Sequence, residues 1–492
     1  MTNNTRKWIT LLIVSTALLL IVIDMTVLYT ALPRLTHDLG ASASAKLWII
    51  NAYTVVVSGF LLGMGALGDR VGYKRMFIAG LAVFGVASLC AAYAPGAGSL
   101  IAARAFLGLG ASMMMPATLA IIRLAFTDDR ERALAIGVWA AVAFGGAALG
   151  PVVGGVLLEY FWWGSVFLIN VPVVMVSLVL GLWLLPDQRT ANHRPWDFIG
   201  SVQVLAALVC LVLTIKEFAK PEPSFAMAMT SGTLSVVAML LFVRRQRRSA
   251  APLIDFSLFR NPHFSSGVIA ATVASAALVG VELVFSQRLQ LVTGLTPLQA
   301  GLAILPIPLA AFVAGPAAGL MLSRIGSRRI IVLGLATTAV ALFGLALTVD
   351  ASGLPRLAVL AVLALLGMSV GATMTAASNA VMNNAPEDRA GMAASVEEVS
   401  YELGSVLGVA LLGSVLSSSY TAALVIPRTL AVPASASDGI DAALLAAESL
   451  PAHAATQLVS LAHAAFDKGF FAVIAVAVLM VIAAAGSVAA IG

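Results

Sequence analysis

Apolar runs of about twenty residues recur along the chain from Trp8 to Ala490, separated by short stretches rich in proline, glycine or charge. Each run is long enough to cross roughly 30 Å of hydrocarbon as a helix. The pattern predicts fourteen spans, at 9–30, 47–68, 76–94, 99–122, 134–157, 163–185, 197–215, 227–243, 264–287, 298–322, 330–349, 356–382, 397–419 and 466–489. Turn signals such as Pro95-Gly96 and Thr127-Asp128-Asp129 mark the short loops between them. One loop is long, 420–465, and its stretches Asp438–Glu448 and His453–Asp467 have helical composition and amphipathic spacing. Either a pair of short helices or a solvated loop is expected there. The first run follows Arg6-Lys7, contains Asp24 and lacks a convincing cleavage pattern. It reads as a span rather than a signal peptide.

Composition strengthens this picture. Of the 492 residues 60% are hydrophobic and 10% charged, whereas soluble domains carry about 25% charged residues. The expected fold class is an all-α polytopic membrane protein with 14 transmembrane helices. Cys90 and Cys210 lie in separate apolar runs with neither disulfide nor metal spacing. The net charge of +5 is spread over helix ends, so no nucleic-acid partner is implied. An even number of spans puts both termini on one side. Nineteen of the 28 lysines and arginines fall on that side, eight on the other, and Arg104 inside the fourth span. The positive-inside rule therefore expects cytoplasmic N- and C-termini.

The chain also repeats itself. Gly65–Arg75, after span 2, matches Gly319–Arg329, after span 10, at an offset of 254 that keeps the first glycine, the arginine, the second glycine and the paired basic residues. A second echo joins Asp129-Arg130 to Asp388-Arg389. Spans 1–6 and 9–14 thus read as two six-helix repeats, with spans 7 and 8 inserted. The domain expectation is 1–190 for the first bundle, 191–260 for the inserted pair and linker, and 261–492 for the second bundle with its 420–465 loop. Paired repeats with a site between them are an architecture of alternating-access transporters.

Several motifs carry a resemblance. Gly65–Arg75 resembles the signature loop of the major facilitator superfamily, and the chain as a whole resembles its fourteen-span drug:proton antiporter branch. Asp24–Pro33, Arg104–Gly110 with Leu107 where glutamine is usual, Gly150–Gly155, and Gln290–Gly301 resemble motifs of that branch. At 163–172 the chain departs from it, with Gly164 and Ser165 where arginine and tryptophan are common. Glu397, Glu398 and Glu402 resemble the acidic set of its antiseptic and quaternary-ammonium pumps, a group that includes methyl viologen pumps. The resemblance implies a monomeric bacterial inner-membrane protein, bathed in membrane lipids, that exports lipophilic cations such as antiseptics, quaternary ammonium compounds and dyes in exchange for protons.

A charge at the bilayer centre costs at least about 2.5–3.5 kcal/mol, so each one needs a reason. Asp24, Glu282, Glu398, Glu402 and Arg104 are the candidates for proton and substrate coupling, against the alternatives of structural hydrogen bonding or snorkelling. Asp24 and Glu282, 258 residues apart, are expected to face each other across the cavity. Glu398 and Glu402 share a helical face, and Glu397 is expected at the interface. Asp69 beside Arg70 reads as a switchable gating pair or a plain helix-end charge. Gly150-Pro151 reads as a bend and a close-packing seam in span 5. Tyr53, Met113, Met114, Trp139 and Phe144 either line a cavity for cations or pack helices. No nucleotide loop, metal spacing or nucleophile elbow appears, so neither enzyme activity nor cofactor nor metal is expected. Transport of an endogenous metabolite, or a membrane sensor without flux, are the alternative functions.

Overall fold

The computed structural model describes residues 3–41, 43–185, 197–218, 224–249, 252–350, 356–427, 432, 434–437 and 439–491. Among them there is no strand. The helices are α1 (Asn3–Asp38), α2 (Ala43–Val71), α3 (Tyr73–Ala92), α4 (Ala97–Ala125), α5 (Asp129–Tyr160), α6 (Ser165–Leu168), α7 (Asn170–Leu184), α8 (Phe198–Phe218), α9 (Phe225–Gln246), α10 (Pro262–Gln287), α11 (Pro297–Ile304), α12 (Pro306–Ile325), α13 (Ser327–Asp350), α14 (Arg356–Asn383), α15 (Ala390–Ala423), α16 (Ile440–Glu448) and α17 (Ala452–Ile491). α6 with α7, and α11 with α12, each make one span, and the described residues hold the fourteen spans expected.

Local signals set the boundaries. The Asp128 side chain accepts from the N–H groups of Arg130 and Glu131 and starts α5, and Thr296 with Gln299 forms a capping box before α11. Gly72 and Gly326 hold positive φ, 100° and 84°, immediately before α3 and α13. They occupy the same position in the two matching loops, where only glycine turns the chain without strain.

The long loop departs from expectation in one part. α16 forms as a short helix, but His453–Asp467 is no second one. It is the first part of α17, which runs unbroken for 40 residues. The alanine- and leucine-rich stretch after Pro451 contains no further proline, so nothing stops the helix before the span begins. Residues 428–431, 433 and 438 of this loop lie outside the described residues.

Two apolar cores organise the bundle. One is built from α1–α7 with parts of α8 and α9 and the first turns of α15; the other is built mainly from α10–α17. α8 lies against α2, where added Cβ atoms on Gly59 and Gly63 would meet Leu205 and Ser201. At the face bearing the termini, Asp197 ties α8 to α9 by accepting from Arg245 Nε at 2.8 Å and Gln246 Nε2 at 3.1 Å.

Candidate functional site

The first span carries a fully buried acid. Asp24 has no exposed surface, and its Oδ2 meets Arg104 Nη1 of α4 at 2.6 Å. Asn170, at the start of α7, donates to Asp24 Oδ1 at 3.1 Å and to Ser88 Oγ of α3 at 3.2 Å. Arg104 Nε donates to the Ile49 carbonyl at 3.3 Å, and its guanidinium lies 4.6 Å from the centre of the Tyr53 ring. Five helices thus converge on one buried ion pair. Such a pair persists because breaking it would strand a charge, at about 3–5 kcal/mol. Asp24, Arg104 and Tyr53 were legible in the sequence. Asn170 was not, although it is a lone amide in the apolar stretch 165–184 and such residues rarely sit in a membrane without a partner.

A second group of acids lies on α15. Every residue from Ala390 to Ser400 is buried, because this part of the helix is enclosed by α2, α4, α10 and α14. Glu397, expected at the interface, is instead fully buried. Its Oε1 accepts from Ser378 of α14 and, at 3.1 Å, from the Tyr401 hydroxyl. Glu397 Oε2 and Glu398 Oε1 have no hydrogen-bond partner among the described residues. Glu402 is half-buried, and Tyr53 lies within electrostatic range of both it and Asp24. Glu282 of α10 is half-buried and makes no hydrogen bond or ion pair among the described residues. Among the described residues no hydrogen bond or ion pair joins it to Asp24, whose polar partners are Arg104 and Asn170.

Asp69 and Arg70, expected as an adjacent pair, have different surroundings. Arg70 is exposed. Asp69 is buried, and it accepts from the Tyr73 hydroxyl at 2.6 Å, from Gly391 N–H at 2.8 Å and from Met392 N–H at 3.1 Å. Neighbouring side chains on a helix point about 100° apart, so Asp69 faces α15 while Arg70 faces solvent. Around it the two halves of the chain touch closely. A Cβ on Gly65 would fall 2.4 Å from the Gly391 carbonyl, and one on Gly137 would fall 2.5 Å from the Gly315 carbonyl. Arg132 Nε reaches Asn383 Oδ1 at 2.8 Å. The two halves are thus in direct contact at the face bearing the termini.

The other expected residues lie among these neighbours. A Cβ on Gly150 would overlap Thr26, so this glycine lets α5 lie on α1 within the first half. α5 passes through unbroken, and the Pro151 side chain lies outside the described residues. Met113 and Met114 border Gly80 at the α3–α4 interface, where an added Cβ would meet both side chains. Trp139 is buried and donates to Thr118 Oγ1 at 3.0 Å. Phe144 packs on the second core.

Comparison with known proteins places this geometry. A model described as Major Facilitator Superfamily matches residues 14–409 and 264–491. The methyl viologen resistance protein SmvA of Salmonella typhimurium strain LT2 is 42% identical over 465 residues, 94% of this chain and 93% of that protein. The multidrug efflux pump LfrA of Mycolicibacterium smegmatis is 39% identical over 486 residues, 98% and 96% of the two chains. The fold also matches the human organic anion transporter MFSD10 with a TM-score of 0.61 at 13% identity, covering 96% of this chain and 99% of that one. With fourteen spans, a family model matched along nearly all of it and relatives this similar, the chain belongs to the Major Facilitator Superfamily and is a membrane transporter, not an enzyme.

Proposed function

We propose that this transporter exports lipophilic cations, such as antiseptics, quaternary ammonium compounds and dyes, in exchange for protons. The observation that carries the reading is the buried Asp24–Arg104 pair, with the Arg104 guanidinium 4.6 Å from the centre of the Tyr53 ring. Several carboxylates and a single arginine make the interior attractive to a cation. Adding a proton to Asp24 leaves the Arg104 charge uncompensated and repels that cation; removing the proton restores the attraction. Proton and cation then exclude each other, which is the requirement for antiport. The names of the relatives, methyl viologen resistance and multidrug efflux, support this substrate class.

Residues 1–190 and 261–492 would act as the two rocking bundles, with 191–260 as the inserted pair, and the monomer would suffice. Glu282, Glu398 and Glu402 would share the coupling with Asp24 and Arg104. The excess of basic residues at the face bearing the termini supports a cytoplasmic location for both, in a bacterial inner membrane. Purified protein in proteoliposomes under an imposed pH gradient tests the proposal. Ethidium should accumulate only while the gradient lasts, and adding ethidium should release protons. Transport without any substrate-driven proton movement would reject it.

A further inference from the structure

The second matching loop differs from the first in one chemical respect. Ser323 stands where the first loop has Asp69, so the basic residues that follow it have no acid of that kind beside them. Lys74 and Arg328 are otherwise equivalent. Lys74 donates to the carbonyls of Leu182 and Leu185 at 2.9 and 2.8 Å, and Arg328 donates to those of Val488, at 3.3 Å, and Ala489. Arg328 is thereby fixed at the mouth of a cavity of about 660 Å³ between the start of α10, the α12–α13 turn and the ends of α14 and α17. Arg329 and His263 line the same cavity, and no acid does. Arg329 is exposed and makes no hydrogen bond or ion pair among the described residues. The cavity's polar amide and hydroxyl are already engaged: Asn384 accepts from Asn261 at 3.2 Å, and Ser327 accepts from Asn379 at 2.9 Å. Its uncommitted chemistry is cationic.

The other wall is apolar. Val332 and Leu333 belong to the span that starts at Ser327, and Leu333 is 60% exposed. A cationic end at the membrane boundary beside an apolar flank matches an amphipathic anion and not a soluble one. We infer that this cavity holds the phosphate headgroup of an anionic glycerophospholipid, with an acyl chain along Val332 and Leu333. Basic pockets between spans at a membrane face bind such headgroups, and each cationic side chain near the surface contributes modestly. The inference is independent of the transported substrate.

Native mass spectrometry of the full chain, titrated with phosphatidylglycerol and with phosphatidylcholine of the same acyl chains, tests it. Phosphatidylglycerol should bind more tightly. Arg329→Gln should weaken that binding about fivefold, as the loss of one cationic contact implies, and Arg329→Lys should restore most of it. Arg248→Gln, which removes an exposed charge from the same face just past α9, should change nothing. Equal retention of the two lipids, an equal loss in Arg248→Gln, or no loss in Arg329→Gln would overturn the inference. So would displacement of the lipid by inorganic phosphate at matched concentration, which would make the cavity a site for free anions.

Discussion

Asp69 and Gly391 lie 322 positions apart, yet the carboxylate of one caps the first turn of the helix that contains the other. Gly391 and Met392 supply orphan N–H groups at the start of α15, where the positive end of the helix dipole favours an anion. The contact at the termini-bearing face therefore depends on a charge from one half meeting a helix end of the other. Asp69→Asn keeps an acceptor but removes the charge. Hydrogen bonds to charged groups contribute about 1.5–3 kcal/mol against 0.5–1.5 for neutral ones, so this contact should weaken by about 1–2 kcal/mol. Ala394, buried beneath this contact, offers the readout. A cysteine placed there should label from the termini-bearing side roughly 5–30 times faster when combined with Asp69→Asn than without it. Unchanged labelling would show that the cap does not hold the gate.

The Asp24–Arg104 pair predicts a non-additive cycle. Asp24→Asn leaves Arg104 charged and buried, and Arg104→Gln does the same to Asp24. Each single change should destabilise the protein by about 3–5 kcal/mol. The double variant removes both charges and should recover most of that loss. Thermal unfolding of the purified proteins measures it, while efflux should be lost in all three. Additive losses in stability would mean that the two residues act separately.

The spans and the repeat were legible because both rest on patterns that tolerate small errors. A run of twenty apolar residues has few alternative readings, and the offset of 254 correctly paired Gly72 with Gly326 and Lys74 with Arg328. Side-chain partnerships were less accessible. Arg70 was the nearest base to Asp69 in sequence, but neighbours on a helix do not face each other. Glu397 was assigned to an interface because periodicity presumes one buried face, and α15 is buried on all sides over its first turns. Asn170 stood out only as a lone amide in an apolar stretch, and its partnership with Ser88 and Asp24 depends on α3 and α7 converging on α1.

Glycine contacts between the halves make a third prediction. Gly137 faces the backbone of Gly315, so a methyl group there forces α5 away from α12. Overpacking of this kind costs roughly 1–3 kcal/mol, and here it falls on the arrangement in which the halves touch. Gly137→Ala should slow efflux by about tenfold or more, with expression and folding retained. Gly155, on the same helix, has nothing within 4 Å of an added Cβ, so Gly155→Ala should transport like the parent. Equal behaviour of the two variants would remove the α5–α12 contact from the transport cycle.

Asp255, in the loop before α10, gives a prediction about pH. It pairs with Arg389 at the start of α15 and accepts from Ser257 N–H at 3.0 Å and Ser257 Oγ at 2.6 Å. Partial burial alone would raise its carboxyl, but the Ser257 hydrogen bonds and the Arg389 charge together outweigh it and hold the group below 3.8. A depressed carboxylate contributes stability that is complete above its unfolded value and is lost as pH falls through the folded one. The tether should therefore be constant across the neutral range. Both side chains remain partly exposed, which limits the pair to about 0–1 kcal/mol. Hydrogen exchange in residues 252–260 provides a local measure. Asp255→Asn should exchange up to about fivefold faster than the parent at pH 7, and the two should converge once the medium is acid enough to protonate Asp255. A difference that appears or vanishes between pH 5 and pH 8 would mean that another group controls this loop.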